Sequence, residues 1–283
     1  MKFGVLGGSG LYDMEELTEV KSQLIHTPFG NPSDEVVTGK MGGREIAFIP
    51  RHGRGHRLLP SEINYRANVW ALKSLGVTHL ISVSAVGSLK EEIEPGHIVI
   101  PDQFIDRTKD RPSTFFGRGV VAHPQFGRPV CGHLSKAVYA AAQKLNVKAH
   151  LGGTYICMEG PIFSTQAESF MYRSFGASVI GMTNLQEAKL AREAEMCFST
   201  IALSTDYYCW HEEEVTVEAV IQVMKKNVAN SKAILKEVVS SYQPSTPACG
   251  DQSSLAFTIM TDPKTIPIDT RQRLELIIGK YVK

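Results

Sequence analysis

Six stretches of this 283-residue chain set hydroxyls, glycines, arginine, histidine or an acid at or just past the end of an apolar run. They are "GVLGGSG" with Ser9, "PRHGRGHR" with Arg51 and His52, "SVSAVGSL" with Ser84 and Ala85, "EGPIFST" with Phe163 and Ser164, "GMTN" with Met182 and Thr183, and "STDYYCW" with Asp206 and Tyr208. Arginine offers a planar fork that matches phosphate oxygens. Glycine lets backbone N–H groups approach an oxyanion, and serine or threonine adds a hydroxyl. Together Ser9, Arg51, His52, Ser84 and Thr183 read as an oxyanion cage. No GxGxxG spacing follows a strand and no GK[ST] completes a P-loop, so a dinucleotide fold and an NTPase are disfavoured. Without a Mg²⁺-binding acid or a P-loop lysine nearby, the cage suits inorganic phosphate better than a nucleotide tail. No acid neighbours the histidines of "RHGRGHR", so an anion site is expected there rather than a metal. No metal is expected in the chain, and no cofactor, with inorganic phosphate as a co-substrate.

These residues need a frame. "KFGVL", "EIAFIP", "HLISVSAVGS", "GHIVIPDQFI", "GGTYICMEGP", "SVIGMT" and "CFSTIALST" read as strands. "NYRANVWALKSLGV", "LSKAVYAAAQKLNV", "TQAESFMYRSFG" and "LQEAKLAREAEM" carry helical spacing, and a long helix is expected over about 216–242. Their alternation predicts an α/β fold with a largely central β-sheet. In such folds ligands bind at the carboxyl ends of strands, where the stretches above fall. "QPSTPACGDQSS" interrupts the pattern, which divides the chain into residues 1–243 and a linker with a helical extension over 244–283. Asp206 ends a buried strand about ten residues before the next clear helix, so it reads as a ligand-facing acid rather than a helix cap.

Bulk properties narrow the class. With 30 Lys and Arg against 29 Asp and Glu, the net charge is +1, and no strong field invites nucleic acid or an anionic membrane. No run approaches the ~18 apolar residues of a membrane span, and the N-terminus lacks a signal-peptide pattern. The 5 cysteines are scattered without a CxxC pair, as expected of buried thiols in a reducing cytoplasm.

In the order "GGSGLYD", "TPFGNPSD", "PRHGRGH", "NYRANVWALK", "SAVGSL", "PDQFIDRT", "EGPIFST", "GMT", "TDYYCW", the chain resembles the trimeric purine nucleoside phosphorylase superfamily, and within it the 5′-methylthioadenosine phosphorylases. The resemblance runs from Phe3 to about Tyr242. It implies a mixed central sheet flanked by helices and a homotrimer, or a dimer of trimers, with sites at subunit interfaces. It implies phosphate held by Ser9, Arg51, His52, Ser84, Ala85 and Thr183, and ribose against Met182. Phe163, with Ser164 beside it, and Asp206 would face the base. Val217, Val220 and Ile221 would line a pocket for the 5′ group, with His123 reaching in from the neighbouring subunit. The expected reaction is phosphorolysis of 5′-methylthioadenosine, with Asp206 helping adenine leave. The chain departs from the family pattern at Tyr208, where a second aspartate is usual, and at Gln186 and Ile162. A phosphorylase that also accepts inosine or methylthioinosine is the near alternative. A nucleoside hydrolase is the more distant one, and the dense anion cage argues against it.

Overall fold

The computed structural model describes residues 1–8, 11, 17–211, 217–246 and 249–282, with the backbone but not the side chains at 217, 219 and 220. Ser9 and the side chains of Val217 and Val220 therefore lie outside the described residues.

Among the described residues the frame is one mixed sheet of 11 strands. At its centre lies β5 (His79–Ser88), with β1 (Phe3–Gly7) and β11 (Cys197–Asp206) parallel to it on either side. Beyond β1 come β4 (Arg44–Pro50), β3 (Val36–Met41) and β2 (Thr18–Gln23). The far end of β5 pairs antiparallel with β10 (Val179–Gly181), which continues to β9 (Thr154–Met158) and β7 (Gln103–Arg107). β11 also carries β6 (Ile98–Ile100), which pairs with β8 (Ala149–Leu151). The expected strands are present, although "GHIVIPDQFI" divides into β6 and β7. Neither β2 nor β3 has a long apolar run to announce it: every residue of β2 is exposed, and β3 buries only Val36, Val37 and Met41.

Helices cover both faces because strand side chains alternate. Phe3, Val5, Ile81 and Val83 point to one core, under α2 (Gly132–Lys144) and α5 (Val217–Ser241). Leu6, Ile49 and Leu80 point to the other, under α1 (Tyr65–Ser74) and α4 (Asn184–Glu193). α3 (Gln166–Ser174) starts on a capping box, in which Thr165 accepts from the Glu168 N–H and Glu168 accepts from the Thr165 N–H. The C-terminal extension ends in α6 (Ile268–Ile278). Its Leu255, Leu274, Ile277 and Ile278 share the α1/α4 core, so it completes the domain rather than forming a second one. Among the described residues no helix is long and apolar enough to cross a membrane.

One buried acid ties α4 to the loop after β7. Glu193, 7% exposed, accepts from the Thr114 hydroxyl and the Phe115 N–H, both at 2.7 Å. Burial outweighs these bonds and pushes its carboxyl from 4.5 up to about 7. The folded chain therefore holds this proton more tightly than the unfolded one. The resulting stability is complete below pH 4.5 and is lost as pH rises through about 7. A Glu193→Gln variant imitates the protonated acid and lacks that loss. Denaturant titrations from pH 4.5 to 8 should show wild type losing about 3 kcal/mol relative to the variant. Parallel pH profiles would contradict this assignment.

Candidate active site

The strand ends converge on a cavity of about 530 Å³. Its lining includes Arg51 and His52 from the end of β4, Ser84 to Gly87 from β5, Met182 and Thr183 after β10, and Asp206 and Tyr208 after β11. Pro161 and Phe163 close one side, with Phe163 70% exposed at the mouth. Of the sequence-assigned residues described in the structure, Arg51, His52, Ser84, Ala85, Phe163, Met182, Thr183, Asp206 and Tyr208 share this cavity. Gly8, beside Ser9, lines it as well.

The 5′-group residues are placed differently. Ile221 is 47% exposed and outside the lining, while α5 contributes Met224 and Val228. His123 is exposed, and its N–H donates to the Thr258 carbonyl of the extension at 2.9 Å. It takes no part in its own chain's cavity. Ser164 sits just behind the lining, where its N–H donates to the Tyr208 hydroxyl at 2.8 Å.

The charge of "RHGRGHR" is largely answered within the chain. Arg51 is 2% exposed and pairs with Glu187, itself 0% exposed. Its Nε donates to Glu187 Oε1, and Nη2 reaches Glu187 Oε2 and the Leu6 carbonyl at 3.0 Å and the Ser82 hydroxyl at 2.7 Å. Nη1 gives one proton to the Val83 carbonyl at 3.0 Å, and among the described residues the second Nη1 N–H has no acceptor. Ser82 donates in turn to Glu187, and Asn184 donates to Ser82. Burial works against the Arg51 charge, but Glu187 outweighs it and holds the guanidinium above its ordinary value. Arg54 is held by Asp34 and Glu35, and Arg57 by the Ser33 carbonyl with Asp34 nearby. His52 lines the cavity as a neutral ring. Burial brings it down to about 4, and its Nδ1 lies 2.8 Å from the Leu58 carbonyl, so Nδ1 carries the proton and Nε2 accepts. Around Arg51 the cavity thus offers hydroxyls, backbone and one guanidinium N–H beside a compensated arginine.

Both Asp206 oxygens are engaged. Oδ1 accepts from the Tyr208 N–H at 2.7 Å, a turn that also fixes the backbone after β11. Asp206 is therefore both a turn cap and a cavity group. Oδ2 lies 2.6 Å from the Thr205 hydroxyl, whose oxygen is also 3.1 Å from the Val86 carbonyl. That single hydroxyl proton can go to Asp206 when the acid is ionised, and to Val86 when the acid is protonated. Either charge state fits without rebuilding the site.

Tyr208 adopts a left-handed φ of 57° and lies against Gly87, where a Cβ would come within 2.5 Å of the ring. Its hydroxyl serves Ser164 and lies 3.2 Å from the Met158 sulfur. Sequence reasoning missed Glu187 and Arg111. Arg111 is buried and ties the far side together, donating to the carbonyls of Met182 and Glu159 and to the Glu159 carboxylate. Its only sequence signal is an arginine beside a strand end. Glu187 falls on the α4 face that also buries Ala188 and Ala191, an acid at a core position.

A model of the Phosphorylase superfamily matches residues 2–240. The chain is 61% identical over 282 residues to an S-methyl-5′-thioadenosine phosphorylase of Geobacter sulfurreducens, covering 99% of this chain and 98% of that one. A protein of the same name from Koribacter versatilis is 55% identical, with 99% and 96% covered. Among solved structures, a methylthioadenosine phosphorylase from an antarctic soil metagenomic library matches with TM-score 0.93 and 45% identity, covering 97% of this chain and 98% of that one. A mutant adenosine/methylthioadenosine phosphorylase of Schistosoma mansoni, in complex with methylthioadenosine, matches with TM-score 0.86 and 34% identity over 92% and 99%.

Proposed function

The chain belongs to the phosphorylase superfamily, and from that premise we propose that it is a pentosyltransferase. It joins phosphate to 5′-methylthioadenosine, releasing adenine and 5-methylthioribose 1-phosphate. The observation that carries this reading is one cavity lined together by Arg51, His52, Ser84, Thr183 and Asp206.

Phosphate attacks C1′ of the ribose as the bond to adenine N9 breaks. Ser84, Ala85, Thr183, His52, the remaining Arg51 N–H and Ser9 hold the nucleophile in place, which removes much of the entropic barrier. Its own charge stabilises the cationic sugar of the transition state. Met182 lies along the ribose, and Phe163 covers the base. The electron pair left on adenine is neutralised by a proton delivered to N7 from Asp206, which then accepts from the N6 amino group. Ser164 supports this arrangement through Tyr208. Residues 1–243 form the catalytic unit and 244–283 a brace against α1 and α4. The enzyme acts in the cytoplasm as a homotrimer, in keeping with its free cysteines. His123 completes a neighbouring subunit's 5′ pocket, and Val217 and Val220 of α5, with Met224 and Val228, complete the chain's own.

The test is base release from methylthioadenosine, adenosine, inosine and methylthioinosine, with phosphate varied. Methylthioadenosine should give the highest kcat/KM, with inosine lower by about 10²-fold or more, because the carboxylate meets a hydrogen-bond acceptor at position 6. Adenine release without phosphate would indicate a hydrolase. Equal values for the 6-oxopurines would indicate the broader phosphorylase, a reading favoured by the single base-facing carboxylate.

A further inference from the structure

Away from the cavity, three of the five cysteines meet. Cys131 at the start of α2, Cys197 at the start of β11 and Cys249 in the extension lie with Asp251 so that their ligand atoms are all within 4.8 Å of one another. All three thiols are free. None of the four residues lines the cavity. The geometry points to a structural zinc site formed by the thiolates of Cys131, Cys197 and Cys249 and the carboxylate of Asp251, clamping the C-terminal extension to the core. This reverses the expectation, drawn from sequence spacing, that the chain holds no metal.

Three observations carry the assignment. The donor set is three sulfurs and one oxygen, which suits zinc and not the all-oxygen shells of magnesium or calcium. Zinc–sulfur bonds of about 2.3 Å set tetrahedral ligands nearly 4 Å apart, so atoms already within 4.8 Å close on the ion with shifts well under about 1 Å. The surroundings also offset excess negative charge. Arg192 donates to Asp251 Oδ1 at 2.6 Å, leaving Oδ2 for the metal. Such an outer bond orients a ligating carboxylate, and the guanidinium charge tempers that of the site. Binding releases the three thiol protons to solvent, and no redox step is involved.

The ligands come from three distant parts of the chain, so the ion would act as a cross-link between α2, β11 and the extension. Removing it should therefore loosen the extension first.

The full-length protein, grown with zinc and purified under reducing conditions without chelator, should carry about one zinc per chain by elemental analysis, falling below about a tenth in Cys249→Ser. Asp251→Asn, which keeps all three thiols, should bind zinc at least about tenfold more weakly in a chelator competition. Cobalt loaded into the chelated wild-type protein should give a near-ultraviolet thiolate-to-cobalt band that Cys249→Ser lacks. This last readout uses the folded wild-type chain, so it stands even if a variant folds poorly. Zinc content unchanged in Cys249→Ser would overturn the proposal. So would wild-type protein with neither zinc nor the cobalt band, or a non-reducing mass lower by the two hydrogens that a disulfide loses.

Discussion

Asp206→Asn should lower kcat/KM for methylthioadenosine by about 10²–10⁴-fold, with most of the loss in kcat. The carboxyl is proposed to deliver a proton to N7 only as the glycosidic bond breaks, so its contribution belongs to the transition state. An asparagine Oδ1 still accepts from the Tyr208 N–H, now at 2.7 Å from Asp206, so the turn after β11 survives. The amide nitrogen, however, cannot pass a proton to N7. It also meets the N6 amino group of adenine donor to donor. A 6-oxo group would accept from the same nitrogen, so the ratio of inosine to methylthioadenosine kcat/KM should rise. Methylthioadenosine activity left intact, with no gain on inosine, would falsify the role given to Asp206. Circular dichroism and thermal melting of the variant separate this loss from misfolding.

The second large effect concerns stability. Glu187→Leu should cost about 3–5 kcal/mol, because it leaves the Arg51 charge buried without its partner. Against a typical folding stability of about 5–15 kcal/mol, that is a large fraction. The carboxylate accepts from Arg51 and from Ser82, so its removal leaves a buried fork and a buried hydroxyl unanswered. Arg51→Met should be destabilising for the mirror-image reason. The double variant Arg51→Met with Glu187→Leu should be more stable than the sum of the single losses implies, since neither charge is then stranded. It should still show a raised KM for phosphate, because the free Nη1 N–H is gone. Urea titrations of the four proteins give the coupling energy directly, and additive losses would show that the pair is not a unit.

The same pair explains why the proposed phosphate site is less cationic than its sequence suggests. Three arginines within seven residues read as a strongly positive loop. In the fold, Glu187 answers Arg51, and Asp34 and Glu35 answer Arg54. His52 is neutral because burial opposes its charge. What remains is directional hydrogen bonding, which selects shape and orientation more than charge.

Tyr208 illustrates a different limit. Its type and position in "STDYYCW" show only that a usual aspartate is missing. Its role depends on Gly87 giving it room and on Ser164 and Met158 occupying its hydroxyl. Those three neighbours come from other strands and loops, and none is adjacent to it in the chain.

The local pattern of the chain was enough to pick out the strand ends that share the cavity. An apolar run followed by glycine, hydroxyl or charge marks a strand and the loop at its carboxyl end, because a buried strand alternates its faces and a loop must satisfy its own backbone. That placed Arg51, Ser84, Met182, Thr183 and Asp206 correctly at one end of the sheet. The exposed strand β2 escaped, since without a buried face it carries no alternation. Tertiary structure alone decided the pairings: Glu187 with Arg51, Arg111 with the carbonyls of Met182 and Glu159, and three unspaced cysteines with Asp251. The reason is physical. A buried charge or thiol takes its partner from whatever the order of the strands brings beside it, and that order links positions far apart along the chain.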